Sequence, residues 1–391
     1  MKFLIAIFRY FPYGGLQKDF LRIAGELLSR GHQVICVCMS WEGPVPAGLE
    51  VRLIPVHGWS NHGRADAFEK KVRKILQIEN ADCTLTMNRI GGFDFYFAAD
   101  NCFALESAGK HGKVISRILP RYRVFLRQER SIFDPGSPTR IFTIVDRQKQ
   151  NFQKIYQTED ERILSLPPGM NPACRIRPTE EQNLVRNRIR REFRVAEHEI
   201  LLVQVASSPQ TKGLDRTVEA LSDCLSGFGE LQNGKEKKAI PAVRLLLVGV
   251  KDGQNKCFRH IPSGFLQERV IFAGPRDDVQ DLLMASDLMV HPARNEATGT
   301  VLIESIACAC PVICSAACGF SSFVEESGGI VLPEPYCRQQ LHEVLRNLLT
   351  VPEKLNGMKQ RCRTYGETAD FYRRAIVAAD EMERYAAEKR G

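Results

Sequence analysis

The 391-residue sequence has no apolar run near the ~20 residues that a helix needs to cross a bilayer; residues 245–248 are typical of its longest. Residues 3–8 are apolar, but Arg9 closes that run before the ~7–15 residues of a signal-peptide core. Neither a membrane span nor export is expected. No repeat of fixed period is present, which argues against a solenoid or propeller. There is no zinc-finger spacing, basic zipper or aromatic RNP motif, so no nucleic-acid partner is expected. No G-x-G-x-x-G follows the first apolar run, which disfavours a dinucleotide-dependent dehydrogenase. No D-x-D pair offers itself to a divalent metal; Asp277 and Asp278 are adjacent and point to different sides. Acidic residues are somewhat short, 46 against 54 Lys and Arg, leaving a formal charge of +8. Cysteine is not scarce, but its 13 copies are odd in number and read as free thiols packed as small apolar groups. Cys308, Cys310, Cys314 and Cys318 lack zinc-ligand spacing, so no metal site is expected there.

What is present is an alternation of strand and helix that occurs twice. Residues 3–7 form a short buried strand, followed by the turn Pro12-Tyr13-Gly14-Gly15. A helical stripe of Leu16, Phe20, Ile23, Ala24, Leu27 and Leu28 comes next, and Gly31 ends it. Further strands are expected at 33–39, 51–56, 83–87, 95–98 and 140–145. The pattern restarts with strands at 200–206, 243–248, 270–273, 288–291 and 312–314 and a helix carrying Leu214, Val218, Leu221 and Leu225. This is the signature of parallel sheets covered by helices. Pro167-Pro168-Gly169 reads as the hinge. The Arg-rich stretch 186–194 reads as a solvated helix face, and 227–238 as a surface insertion. Two doubly wound halves hold ligands at the carboxyl ends of their strands, where helix N-termini accept phosphate.

The sharpest element is the segment from His291 to Glu304. Glu296 and Glu304 lie eight residues apart, across a turn and a helix start. Thr298, Gly299 and Thr300 occupy the place where free backbone N–H groups open a helix. An anion at that start, with Glu304 a turn further in to accept hydrogen bonds from sugar or ribose hydroxyls, is one reading. Two glutamates making ordinary surface pairs is the other. The segment resembles the E-x7-E element of retaining glycosyltransferases of family 4, which have the GT-B fold. The resemblance implies that Glu296 contacts the donor sugar, Gly299 and Thr300 the phosphates, and Glu304 the ribose. Thr211-Lys212-Gly213-Leu214-Asp215-Arg216 resembles a second family element, with Lys212 meeting the diphosphate. The family's usual Arg some six residues earlier is missing from Ala206-Ser207-Ser208-Pro209, which shifts that load to Lys212 or Arg216. The loop 272–279, with Arg276, resembles the family's nucleobase loop.

The first half narrows the resemblance. Residues 11–20, 40–43, 61–64 and 97–100, with Pro167-Pro168-Gly169, look like the lipopolysaccharide core glucosyltransferases of that family. This implies donor contact for Gly14, Gly15 and Asp19, and a catalytic-cleft position for Asp100. From the residues alone, Asp19 also fits a helix cap, and Asp100 a buried loop carboxylate tying backbone N–H groups. Between Ser107 and Gln128 lie Lys110, Lys113, Arg117, Arg121, Arg123 and Arg127, six cations with no acid. Apolar and aromatic residues interleave with them, the composition of a segment resting on an anionic membrane; the alternative is a helix with its apolar side in the core. Pro120 is expected to split it into two helical pieces. Arg9, Lys18, Arg64 and Arg89 flank the matched loops and are candidates for an acceptor phosphate.

The expected fold is therefore α/β of the GT-B type, two Rossmann-like doubly wound domains facing a central cleft. Residues 1–167 form an acceptor- and membrane-facing domain, 168–366 a nucleotide-sugar domain, and the helix 367–391, striped with Phe371, Ala375, Ala378, Ala379, Met382 and Tyr385, returns to the first. The resemblance implies a retaining transferase that moves a hexose, glucose first of all, from a UDP-sugar to an inner-core heptose of lipopolysaccharide. Galactose and N-acetylhexosamine donors fit the same framework, because contacts near Glu296, Asp100 and His291 set hydroxyl choice. No cofactor or metal is expected. The expected location is the cytoplasm, peripherally on the anionic inner membrane. A non-catalytic module binding anionic surfaces or nucleic acid is the remaining alternative.

Overall fold

The computed structural model describes residues 1–12, 14–108, 119–171, 174–206, 208–226, 242–251 and 256–390. The expected surface insertion at 227–238, and Lys110, Lys113 and Arg117, lie outside the described residues. The chain divides into two compact units, Met1–Gly169 with Asp370–Gly391, and Met170–Ala369.

The first unit is built on a seven-stranded parallel sheet of order β3-β2-β1-β4-β5-β6-β7. Its strands are β1 (Lys2–Tyr10), β2 (Gln33–Trp41), β3 (Leu49–Leu53), β4 (Cys83–Thr86), β5 (Phe95–Ala98), β6 (Arg140–Thr143) and β7 (Ile163–Ser165). Helix α1 (Gly15–Ser29) buries Phe20, Ile23, Ala24 and Leu27, the stripe its spacing predicts. Helices α2 (Asn61–Ile78), α3 (Pro120–Phe133) and α4 (Asp146–Tyr156) complete the cover. Pro120 is the first residue of α3, where its missing N–H costs nothing; residues 109–118 before it lie outside the described residues.

The second unit holds a six-stranded parallel sheet of order β10-β9-β8-β11-β12-β13. Its strands are β8 (Ile200–Val205), β9 (Val243–Val248), β10 (Val270–Gly274), β11 (Leu288–His291), β12 (Val312–Ser315) and β13 (Ile330–Leu332). The helices used below are α5 (Thr179–Glu192), α6 (Leu214–Ser226) and α9 (Thr300–Ala307). In between come α7 (Ser263–Arg269) and α8 (Val279–Ala285), and α10 (Ser321–Glu326), α11 (Arg338–Thr350) and α12 (Pro352–Thr368) follow. The short strands β7 and β13 escape the sequence reading because three residues carry no periodicity. The Arg-rich face of α5 is not simply solvated. Arg190 is buried, and Arg186 and Arg190 reach Asp287 at 2.7 and 3.3 Å, tying α5 to the start of β11. Both sheets reverse strand order between their first and fourth strands, the position where such folds seat ligands.

The terminal helix α13 (Arg374–Arg390) belongs to the first unit. Ala378, Ala379, Met382 and Ala386 join the core cluster that contains Phe20, Ile23 and Leu27. At its head, Arg374 is buried and donates to Asp19 at 3.0 Å and to Pro167 O at 3.1 Å. Arg22 donates to Gly169 O and lies 3.6 Å from Asp19. Asp19 is thus neither a cap nor in the first turn of α1; Gly14 is the N-cap, with no side-chain hydrogen bond. Burial pushes the Asp19 carboxyl up against the opposing pull of Arg374 and Arg22, and burial pushes Arg374 down. The pair therefore fixes geometry more than it adds stability. Removing one partner leaves a buried charge: Arg374→Met is expected to cost about 3–5 kcal/mol in urea unfolding. The Asp19→Leu/Arg374→Met double variant should recover most of that loss, whereas additive losses would contradict a coupled pair.

Candidate active site

The site of the second unit is set by a backbone contact. Gly213 has φ +69°, and a Cβ there would stand 2.0 Å from Pro292 O. Only glycine can bring the 211–213 turn this close to the 292–294 segment. Arg294 N donates to Thr211 O at 2.8 Å, and Gln204 Nε2 donates to Lys212 O at 2.9 Å. Asp215 accepts two hydrogen bonds from Arg294, at 2.7 and 2.5 Å. The consequence is that Lys212 forms an ion pair with Glu296. The side chains are only 21% and 12% exposed, so the pair is far less screened than a surface bridge. Burial pulls the Lys212 ammonium below its ordinary range.

Glu296 is held by main chain on both sides. Its N–H donates to Ala317 O at 3.4 Å, and its carbonyl accepts from Gly319 N at 3.1 Å. Thr298 O accepts from Phe320 N at 2.7 Å. Gly299 caps α9 in the left-handed region at φ +83°, and a Cβ there would meet Glu296 Cγ at 3.2 Å. Thr300 opens α9, and Glu304, half-buried, lies one turn further in. The helix start, Lys212 and Glu296 therefore meet within one unit, with Glu304 further along α9. Arg216 faces elsewhere: it donates to Pro292 O at 3.1 Å and stacks 4.0 Å over the Tyr336 ring. Arg276 is held by Asp278 at 2.7 Å and Glu192 at 2.8 Å. Cys308, Cys310, Cys314 and Cys318 are all buried; Cys318 bridges Glu296 along the backbone, and its thiol lies against that of Cys314.

In the first unit, a Cβ on Gly14 would overlap Gln17 Oε1 at 1.8 Å, while Gly15 meets nothing within 4 Å. Asp19 is taken by Arg374, as above. The Asp100 side chain is 66% exposed and 3.5 Å from Arg89, so it is not the buried loop carboxylate its context also allows. Arg89 is half-buried between Asp100 and Glu129 and donates to Asn101 O at 2.7 Å. Glu129 escapes the sequence reading because an acid next to a basic segment has no distinguishing spacing. It is fully buried and accepts from Phe103 N at 2.7 Å, Ala104 N at 2.9 Å and Tyr156 OH at 2.6 Å. Of the basic stripe, Arg127 pairs with Asp66 at 2.6 Å and Glu69 at 2.8 Å on α2. Arg121 and Arg123 are exposed, and Arg121 lies 5.9 Å over the Phe125 ring. Arg64, in the first turn of α2, donates to Asn61 Oδ1 at 2.6 Å.

His291 ends β11 beneath Glu296. It is fully buried, with Nε2 3.5 Å from Glu296 Oε2, and neither ring nitrogen has a hydrogen-bond partner. Burial, then the Lys212 charge, depresses its pKa to about 3. A folded value below the unfolded ~6.5 means that His291 stabilises the neutral fold above pH 6.5. That contribution is lost as pH falls from 6.5 toward 3. The His291 ring resonances should therefore stay constant between pH 8 and 5; a midpoint near 6.5 would contradict this burial.

The family described as glycosyl transferases group 1 matches residues 185–365, which include Lys212, Glu296, Gly299 and Glu304. The chain is 36% identical over 375 residues to the lipopolysaccharide glucosyltransferase WaaG of Escherichia coli (strain K12), covering 96% of each sequence. A crystal structure of WaaG, a glycosyltransferase involved in lipopolysaccharide biosynthesis, superposes with a TM-score of 0.82 at 34% identity, over 97% of this chain and 99% of that one. Anabaena Alr3699/HepE, solved in complex with UDP and glucose, shares the fold at a TM-score of 0.67 and 16% identity, over 99% and 100% of the two chains. The chain belongs to the WaaG family of GT-B glycosyltransferases.

Proposed function

We propose that this chain is a retaining transferase that moves glucose from UDP-glucose to an inner-core heptose of lipopolysaccharide. The observation that carries this reading is the Lys212–Glu296 pair beside the Gly299 start of α9. The name of the E. coli relative supports the sugar and the acceptor. A sugar nucleotide ionises toward an oxocarbenium-like state, and the departing diphosphate needs positive charge and N–H donors. Lys212 offers the charge, and the free N–H groups of Gly299 and Thr300 offer the donors. On donor binding the ammonium turns from Glu296 to the diphosphate, which leaves the Glu296 carboxylate to accept from sugar hydroxyls. Glu304, on the helix that Gly299 caps, accepts from the ribose hydroxyls. Arg216 and Arg276 act through loop geometry: one fixes the Pro292 carbonyl and the other the loop after β10. UDP-galactose and UDP-N-acetylhexosamine remain competing donors for the same site.

Under this proposal the first unit serves the acceptor and the second the donor. The cations of α3 and the segment before it meet the anionic face of the inner membrane from the cytoplasmic side. Each cation near such a surface contributes roughly 1 kcal/mol. Catalysis proceeds without a divalent metal, because the leaving group's charge is met by Lys212 and main-chain N–H groups.

Glu296→Ala and Lys212→Ala should each lower glucosyl transfer by about 10²–10³-fold, the scale of one lost charge-stabilising group. Wild-type rates in both would overturn the assignment. Transfer should also continue at full rate in excess EDTA. Loss of activity there, restored by Mg²⁺ or Mn²⁺, would contradict metal independence.

A further inference from the structure

Strand β11 lies inside the sheet of the second unit, between β8 and β12. Its first three residues, Leu288, Met289 and Val290, are fully buried and apolar, as a strand covered on both faces requires. His291 is buried to the same degree and breaks that series. Buried polar atoms normally have a hydrogen-bond partner, yet neither ring nitrogen of His291 has one. The main chain of the residue is committed. Its carbonyl accepts from Ala293 N at 2.9 Å and from Cys318 Sγ at 4.0 Å, and its backbone stands in register with Cys314 of β12. The ring is therefore held in place by its strand, with its donor capacity open.

The ring faces one oxygen of Glu296. Lys212 Nζ pairs with Glu296 Oε2, and His291 Nε2 stands 3.5 Å from the same atom. Two donors from different elements, the 211–213 turn and the end of β11, thus converge on one carboxylate oxygen. They differ in charge. Burial first, and the Lys212 ammonium second, hold the imidazole neutral, with a pKa of about 3. A neutral N–H can bond a carboxylate without setting a second cation beside Lys212. The tautomer that suits this contact carries its proton on Nε2, because a carboxylate oxygen only accepts. At 3.5 Å the contact is longer than a made hydrogen bond, while the ammonium holds the oxygen.

We propose that His291 is a positioning residue for Glu296: its Nε2–H takes over Glu296 Oε2 when Lys212 turns to the donor diphosphate, and keeps the carboxylate aimed at the sugar. The proposal rests on the transferase reading, in which Lys212 leaves Glu296 on donor binding. A carboxylate whose side chain is only 12% exposed loses stabilisation that water replaces poorly when it gives up an ammonium. The imidazole N–H, already beside it, supplies a hydrogen bond to the charged group in its place. The main chain of Glu296 is anchored at Ala317 and Gly319, so the imidazole sets the side-chain torsions. The histidine transfers no proton and acts only through Glu296.

Long-range ¹H–¹⁵N NMR of the full chain, recorded alone and then saturated with UDP, tests this without any turnover. The free chain should show His291 as the Nε2–H tautomer. With UDP bound, the Nε2 proton should move downfield as its hydrogen bond to Glu296 shortens, and Glu296→Ala should abolish that shift. The Nδ1–H tautomer, or an Nε2 proton that UDP leaves in place, would overturn the proposal. In steady-state transfer, His291→Leu should lower kcat about ten-fold, the scale of one hydrogen bond to a charged group, with little change in the UDP-glucose KM. His291→Gln, which keeps an amide N–H near the place of Nε2, should recover most of that loss. Equal losses in the two variants, or an effect confined to the donor KM, would also overturn it. The tautomer of the free chain and the transfer rate of the unaltered chain are read separately, so failure of this proposal is distinguishable from failure of the transferase reading.

Discussion

The chemistry of the second unit depends on one close approach of backbone to backbone. The turn before α6 meets the carbonyl of Pro292, and Gly213 leaves no room for a Cβ at that point. Everything polar at the site follows from it. The contact sets Lys212 on Glu296, lets Arg294 N bond Thr211 O, and gives Arg216 the carbonyls of Pro292 and Ala293 to hold. A lysine placed this way is drawn out of water before any ligand arrives. Its charge is balanced by the Glu296 carboxylate, which under the proposed function releases it to a phosphate.

The first unit uses buried charge differently. Asp19 and Arg374 are 355 residues apart in sequence and fully engaged with one another. They stand where the chain leaves the first unit, at Pro167–Gly169, and where it returns, at Asp370. Arg374 and Arg22 both bond main-chain carbonyls of that exit segment. Glu129 plays a comparable part at the base of α3, joining Arg89, Tyr156 and the main chain at Phe103 and Ala104. Buried ion pairs of this kind are weak contributors to stability and strong determinants of arrangement.

The legibility of these features in the sequence divides along physical lines. The β-α alternation, the Gly213 and Gly299 turns and the two glutamates are local signals, fixed by a few neighbouring residues, and they reappear in the folded chain. Strand limits shift by one to a few residues because hydrogen bonding, not apolarity, decides where a strand ends. What could not be read was pairing at long range. Asp19 looked like a donor contact or a cap because its partner, Arg374, lies on the last helix. Arg186 and Arg190 looked solvated because Asp287 comes about a hundred residues later.

The central claim is that the Gly213 contact positions Lys212, the lysine proposed to meet the leaving diphosphate. Steady-state transfer from UDP-glucose by Gly213→Ala, with far-ultraviolet circular dichroism as the control for folding, tests it most directly. The account predicts that the fold persists while transfer falls at least a hundred-fold, because the added Cβ pushes the 211–213 turn and Lys212 away from Glu296. Wild-type transfer by a folded Gly213→Ala protein would contradict it.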